Sequence, residues 1–127
     1  MDKQKLESQF QNKLIKRIKS EFGNDNVIIL KNDPNYIQGF PDLTILGKKR
    51  YAILECKRSK NEHKQPNQEF YVNKANRLSY GRFIYPENEQ QVLSDMKEYN
   101  IDVVNRIENK IIQVDRPDDY KSNIQKY

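Results

Sequence analysis

A single cysteine, Cys56, is all the thiol chemistry that the 127 residues offer. It rules out an intramolecular disulfide framework and a cysteine-based zinc cluster. The one histidine, His63, lies in a polar stretch and reads as a solvated residue rather than a ligand. Apolar runs stop at four residues, as in Val27-Ile28-Ile29-Leu30, far short of the ~18 that a membrane span needs. No apolar segment follows the Met1-Asp2-Lys3-Gln4-Lys5 start, so no signal peptide is expected. Repeats, low-complexity tracts and Pro/Gly/Ser linkers are also missing. The expectation is one soluble, cytoplasmic domain over residues 1–115, followed by a polar tail at 116–127.

Hydrophobic residues make up 35% of the chain, below the usual ~45–50%, so the core must be small. Eight tyrosines and five phenylalanines nevertheless argue against disorder. The net charge of +5 is uneven: residues 1–22 carry +3, 23–47 carry −2, 48–82 carry +7 and 83–127 carry −3. A basic centre between acidic flanks suggests one cationic face able to meet a polyanion. A solubilising surface is the plainer alternative.

Leu6, Phe10, Leu14, Ile15, Ile18 and Phe22 recur at helical spacing and predict an amphipathic helix that ends near Gly23. Val27-Ile28-Ile29-Leu30 predicts a short buried strand, broken by Asn32-Asp33-Pro34-Asn35. Leu43-Thr44-Ile45-Leu46 and Tyr51-Ala52-Ile53-Leu54-Glu55-Cys56-Lys57 predict a hairpin. Pro66 suits the first turn of a second helix reaching about residue 79, with Phe70, Ala75 and Leu78 turned inward. Arg82-Phe83-Ile84-Tyr85 predicts a fourth strand and residues 87–99 a third helix. Short strands at 101–104 and 111–114 complete the pattern. The order α-β-β-β-α-β-α predicts an α/β (α+β) fold, a central mixed sheet flanked by helices.

The hairpin register follows from its turn. With Lys48 and Lys49 as the turn, Gly47 pairs with Arg50, and Asp42 falls opposite Glu55. Opposed residues share a face, with Cβ atoms about 4.5–5.5 Å apart. Lys57, two residues past Glu55, joins them, while Cys56 points to the other face. Two opposed carboxylates destabilise a hairpin unless a cation lies between them. Asp and Glu are hard oxygen ligands suited to Mg²⁺ or Mn²⁺, and a lysine beside them can stabilise charge on a scissile phosphate. The alternative is a strand-start aspartate beside an exposed Glu–Lys ion pair. Against it, an acid and a lysine ending a run of Tyr51-Ala52-Ile53-Leu54 are costly unless paired or functional.

Gly39-Phe40-Pro41-Asp42 followed by Glu55-Cys56-Lys57 resembles the signature of the PD-(D/E)xK nuclease superfamily. Gln65-Pro66-Asn67-Gln68-Glu69-Phe70-Tyr71 and then Gly81-Arg82-Phe83-Ile84-Tyr85-Pro86 are similar to its VRR-NUC branch, with its small phage proteins resembling Holliday-junction resolvases. The resemblance spans roughly residues 36–87. It implies a restriction-endonuclease-like core and a Mg²⁺- or Mn²⁺-dependent phosphodiesterase. Asp42 and Glu55 would ligate the metal, with the Cys56 backbone carbonyl as a third ligand. Lys57 would be the catalytic lysine and Gln68 the helix glutamine, with Gln65 in competition. Glu7, the acid within the first helix, is either a further ligand or an exposed charge. Arg58, Lys60 and Lys64 would contact DNA phosphates, or simply solvate their loop.

What is expected is therefore a phage-type DNA endonuclease, acting on branched or junction DNA in the cytoplasm of a bacterial host. The rival is a DNA-binding module of the same fold that does not cut. Relatives of this kind often form homodimers, although the sequence shows no apolar stripe that must be an interface. Tyr71, Tyr80, Phe83 and Tyr85 read as core rather than base-stacking residues.

Overall fold

The computed structural model describes residues 3–99. The strands expected at 101–104 and 111–114, the end of the domain at 115 and the tail at 116–127 lie outside the described residues. Within them the order is α1 (Lys3–Phe22), β1 (Ile28–Lys31), β2 (Leu43–Leu46), β3 (Tyr51–Cys56), α2 (Pro66–Leu78), β4 (Tyr80–Ile84) and α3 (Glu89–Glu98). The fold is α+β, with a four-stranded mixed sheet in the order β1-β2-β3-β4. β1, β2 and β3 run antiparallel, and β4 lies parallel to β3. Among the described residues no helix is long and apolar enough to cross a membrane.

Strand alternation divides the sheet into two faces. Leu43, Ile45, Ala52, Leu54, Cys56, Tyr80 and Ile84 share one face. There they pack with Leu14, Ile18 and Phe22 of α1 and Val92, Leu93 and Met96 of α3. α1 ends where Gly23 takes a positive φ of 95°, which glycine adopts without strain. The other face carries Asp42, Ile53, Glu55, Gly81 and Phe83 by register, and α2 lies over its β3–β4 half. A parallel pair joined through a helix is the usual crossover unit, and it brings the first turn of α2 to the carboxyl end of β3.

Two expectations about burial are corrected. Among the described residues β1 is an edge strand rather than a buried one, with Ile28 60% and Leu30 44% exposed, because α2 does not extend over it. Phe70 and Leu78 face outward, at 54% and 67% exposure, and the stripe that meets the sheet contains Val72 and Ala75.

That stripe is thin because glycine lets the helix backbone approach the strand. A Cβ on Gly81 would collide with the Val72 carbonyl oxygen and the Asn76 nitrogen, both backbone atoms of α2. Gly81→Ala should therefore lift α2 and cost about 1–3 kcal/mol, at the upper end because a backbone cannot rotate away. Urea unfolding checks this, and an unchanged midpoint would refute the close approach.

Candidate functional site

The observed register is Leu43↔Leu54, Thr44↔Ile53, Ile45↔Ala52 and Leu46↔Tyr51, with Gly47 N–H bonded to the Arg50 carbonyl at 3.0 Å. One step further sets Asp42 against Glu55. A second step would set Pro41 against Cys56 as a hydrogen-bonded pair, since such pairs alternate along an antiparallel ladder. Proline breaks the ladder there because it has no N–H to give. Its carbonyl instead accepts Asn32 Nδ2 at 2.8 Å, and the Cys56 N–H bonds Asp42 Oδ2 at 2.9 Å. The ladder therefore offers no donor to the Cys56 carbonyl, which points along the same strand edge as its N–H.

Lys57 follows β3 directly, and its N–H is held by the Ile84 carbonyl at 2.8 Å. Glu55 and Lys57 are only 5% and 4% exposed. A buried ammonium needs acceptors, and Lys57 Nζ finds the His63 carbonyl at 3.0 Å and Gln68 Oε1 at 2.8 Å, with Glu55 Oε2 3.9 Å away. Gln68 Nε2 donates to Glu55 Oε2 at 3.0 Å. These partners fix the amide orientation, with nitrogen toward the carboxylate and oxygen toward the ammonium. The same oxygen accepts the Gln65 N–H at 3.0 Å, so Gln68 also caps α2. Of the two competing glutamines, Gln68 reaches Glu55 and Lys57, while Gln65 is exposed and contributes its backbone.

Crowded burial shapes the electrostatics. Burial first, and then the Asp42 charge, pushes the Glu55 carboxyl up to about 8, with Lys57 opposing. Burial also raises Asp42, despite the Cys56 N–H and the Lys57 charge. Glu7 of α1 comes within electrostatic reach of Asp42, Glu55 and Lys57, and hydrogen-bonds Glu62. Burial raises Glu7, helped by that bond and the Glu62 charge. For Glu62 the upward push of burial is outweighed by the Arg58 N–H, the Glu7 bond and the Arg58 charge, so it stays below the usual carboxylate range. Sequence reasoning missed Glu62, which sits in an irregular loop where no periodicity marks it. Its one signal is the spacing of four from Arg58, whose N–H it accepts at 2.6 Å.

The three residues expected on DNA are spread apart. Arg58 is tied by its Nε to Glu62 at 3.3 Å. Lys60 is exposed, and Lys64 is half-buried with its ammonium 5.2 Å from the Phe83 ring centre and 6.0 Å from that of Tyr85. Tyr80 is a core residue, as expected, at 3% exposure. The Cys56 thiol is buried on the opposite face and raised by burial, so it is chemically inert there.

Among the described residues no group of three or more His, Cys, Asp and Glu side chains is placed to hold a metal ion. The hard donors at the strand end are two carboxylates, Asp42 and Glu55, and the Cys56 carbonyl, to which the β2 ladder offers no donor. That set fits Mg²⁺ or Mn²⁺, which commonly take one or two carboxylates and complete their shell with water and phosphate oxygens. Compared with protein-family models, curated proteins and solved structures, the chain matches none.

Proposed function

We propose that the protein is a Mg²⁺- or Mn²⁺-dependent DNA endonuclease of the PD-(D/E)xK type, with a restriction-endonuclease-like core and closest in character to the VRR-NUC branch. The observation that carries this reading is the buried Lys57 ammonium, fixed by Gln68 beside Glu55 and Asp42 at one strand end. A protein that only held DNA would gain nothing from buried carboxylates facing a polyanion, since they repel it. Asp42, Glu55 and the Cys56 carbonyl would hold the cation, which when bound supplies Lewis acidity at the scissile phosphate and a more acidic water. Lys57 donates to the phosphate oxygens as negative charge grows on them. Gln68 keeps the lysine aimed and keeps Glu55 in place. Phosphate contacts along the basic loop orient the strand without reading its sequence.

Supercoiled plasmid and a synthetic four-way junction, incubated with the protein and Mn²⁺, should both be cut, and EDTA should stop the reaction. Binding without metal-dependent cleavage would favour the DNA-binding module instead.

A further inference from the structure

Beside the strand end, on the α1 side, lies an open groove of about 260 Å³ lined by Leu6, Gln9, Phe10, Lys13, Arg58 and Pro86. We propose that this groove receives one unstacked nucleotide of the DNA strand, next to the phosphate at Asp42, Glu55 and Lys57. The proposal rests on the nuclease reading and adds a substrate class to it, namely unpaired or splayed DNA.

Continuity is the first argument. Glu7 of α1 lies within electrostatic reach of Asp42 and Lys57, and Leu6 and Phe10 of the same helix line the groove, so a strand whose phosphate lies at Lys57 has its neighbouring nucleotide at the groove mouth. The second argument is the chemistry of the lining. Leu6, Phe10 and Pro86 give apolar walls with one aromatic ring, Gln9 can meet a base edge, and Lys13 supplies a cation for a flanking phosphate, beside Arg58, whose Nε is paired with Glu62. No acid lines it. This combination of a stacking surface and cationic borders is what single-stranded nucleic acid uses. Size is the third argument, since ligand pockets for larger molecules run to roughly 300–1,000 Å³, and this one suits a single base. The fourth is α1 itself. Positions 6, 9, 10 and 13 share one helix face, Leu6 stays 36% exposed, and Phe10 packs against the core while leaving part of its ring uncovered. A base inside a duplex has both faces stacked, so only an unpaired one can enter.

The test measures binding of the full chain, by fluorescence anisotropy with Ca²⁺ present, to labelled oligothymidylate and to an abasic strand of the same length. The wild type should prefer oligothymidylate about tenfold, the scale of one stacked base. Phe10→Ala and Leu6→Glu should both erase that preference. Leu6 is exposed enough that its variant should keep the wild-type melting temperature, so loss of preference there is not loss of fold. Equal affinity of the wild type for the two strands, or an unchanged ratio in both variants, overturns the proposal. So would a concentration-dependent dimer that Leu6→Glu dissolves, because the groove would then belong to a second copy. Cleavage is read separately with Mn²⁺. Base-dependent binding without cutting keeps the groove and ends the nuclease reading, while cutting with indifference to bases does the reverse.

Discussion

Glu55→Gln should reduce metal-dependent cleavage on the order of a thousandfold, and should raise the melting temperature of the metal-free protein toward pH 8. Both effects come from one carboxyl. Its folded value of about 8 stands above the ordinary carboxyl value of 4.5, so the folded state holds this proton more tightly than the unfolded chain. A raised value contributes stability that is complete below the unfolded pKa and is lost as pH rises through the folded one. The wild type should therefore lose stability between about pH 4.5 and pH 8, by a few kcal/mol. Asp42 and Glu7, both raised mainly by burial, add to the loss. Glutamine copies the protonated carboxyl, still accepts from Gln68 Nε2, and does not titrate, so the two melting curves should diverge as pH climbs. A divalent cation binds the ionised form, so Mn²⁺ at alkaline pH should restore the wild type and leave the variant unmoved. Equal pH slopes in the two proteins would mean that Glu55 is not crowded as described. A normal cleavage rate in the variant would remove it from the metal site.

The element order and the hairpin register were legible because they depend on local chemistry. A two-residue turn at Lys48-Lys49 sets every pair from Gly47–Arg50 to Leu43–Leu54 without help from the rest of the fold. What Pro41 does was written there too: it ends the ladder where Cys56 needs a donor. Burial was less legible, since it depends on what lies opposite. Phe70 and Leu78 look inward by composition, yet the helix face that meets β4 is chosen by Gly81, and close backbone approach leaves no room for large side chains. β1 reads as buried from its β-branched residues, but among the described residues no helix reaches its outer face. Gln68 was singled out through the resemblance, and its partners Glu55 and Lys57 are thirteen and eleven residues away. Glu62 and the α1 groove depend on how a loop and the first helix converge, which no spacing in the chain encodes.

Lys57→Met should lose cleavage by a hundredfold or more while keeping DNA affinity measured with Ca²⁺, and Lys57→Arg should recover little of the loss. The buried ammonium is held at a single point by Gln68 Oε1 and the His63 carbonyl, 3.9 Å from Glu55. Methionine fills similar space without the charge, so packing is retained while the ammonium and its two hydrogen bonds are removed. Arginine keeps the charge but spreads it over a planar fork that the enclosed space, 4% exposed, does not accommodate. Removing the ammonium also removes the one opposing influence of a side-chain charge on Glu55 and on Asp42, so both carboxyls should rise further. More Mn²⁺ or a higher pH should then be needed to fill the site. The rate loss should nevertheless persist at saturating metal, because a cation between the carboxylates does not replace a donor aimed at the phosphate. Full recovery at high Mn²⁺ would reduce Lys57 to a group that tunes its neighbours. An unimpaired Lys57→Met protein at all metal concentrations would pass the catalytic role to another lysine, with Lys60 on the exposed loop the first to replace.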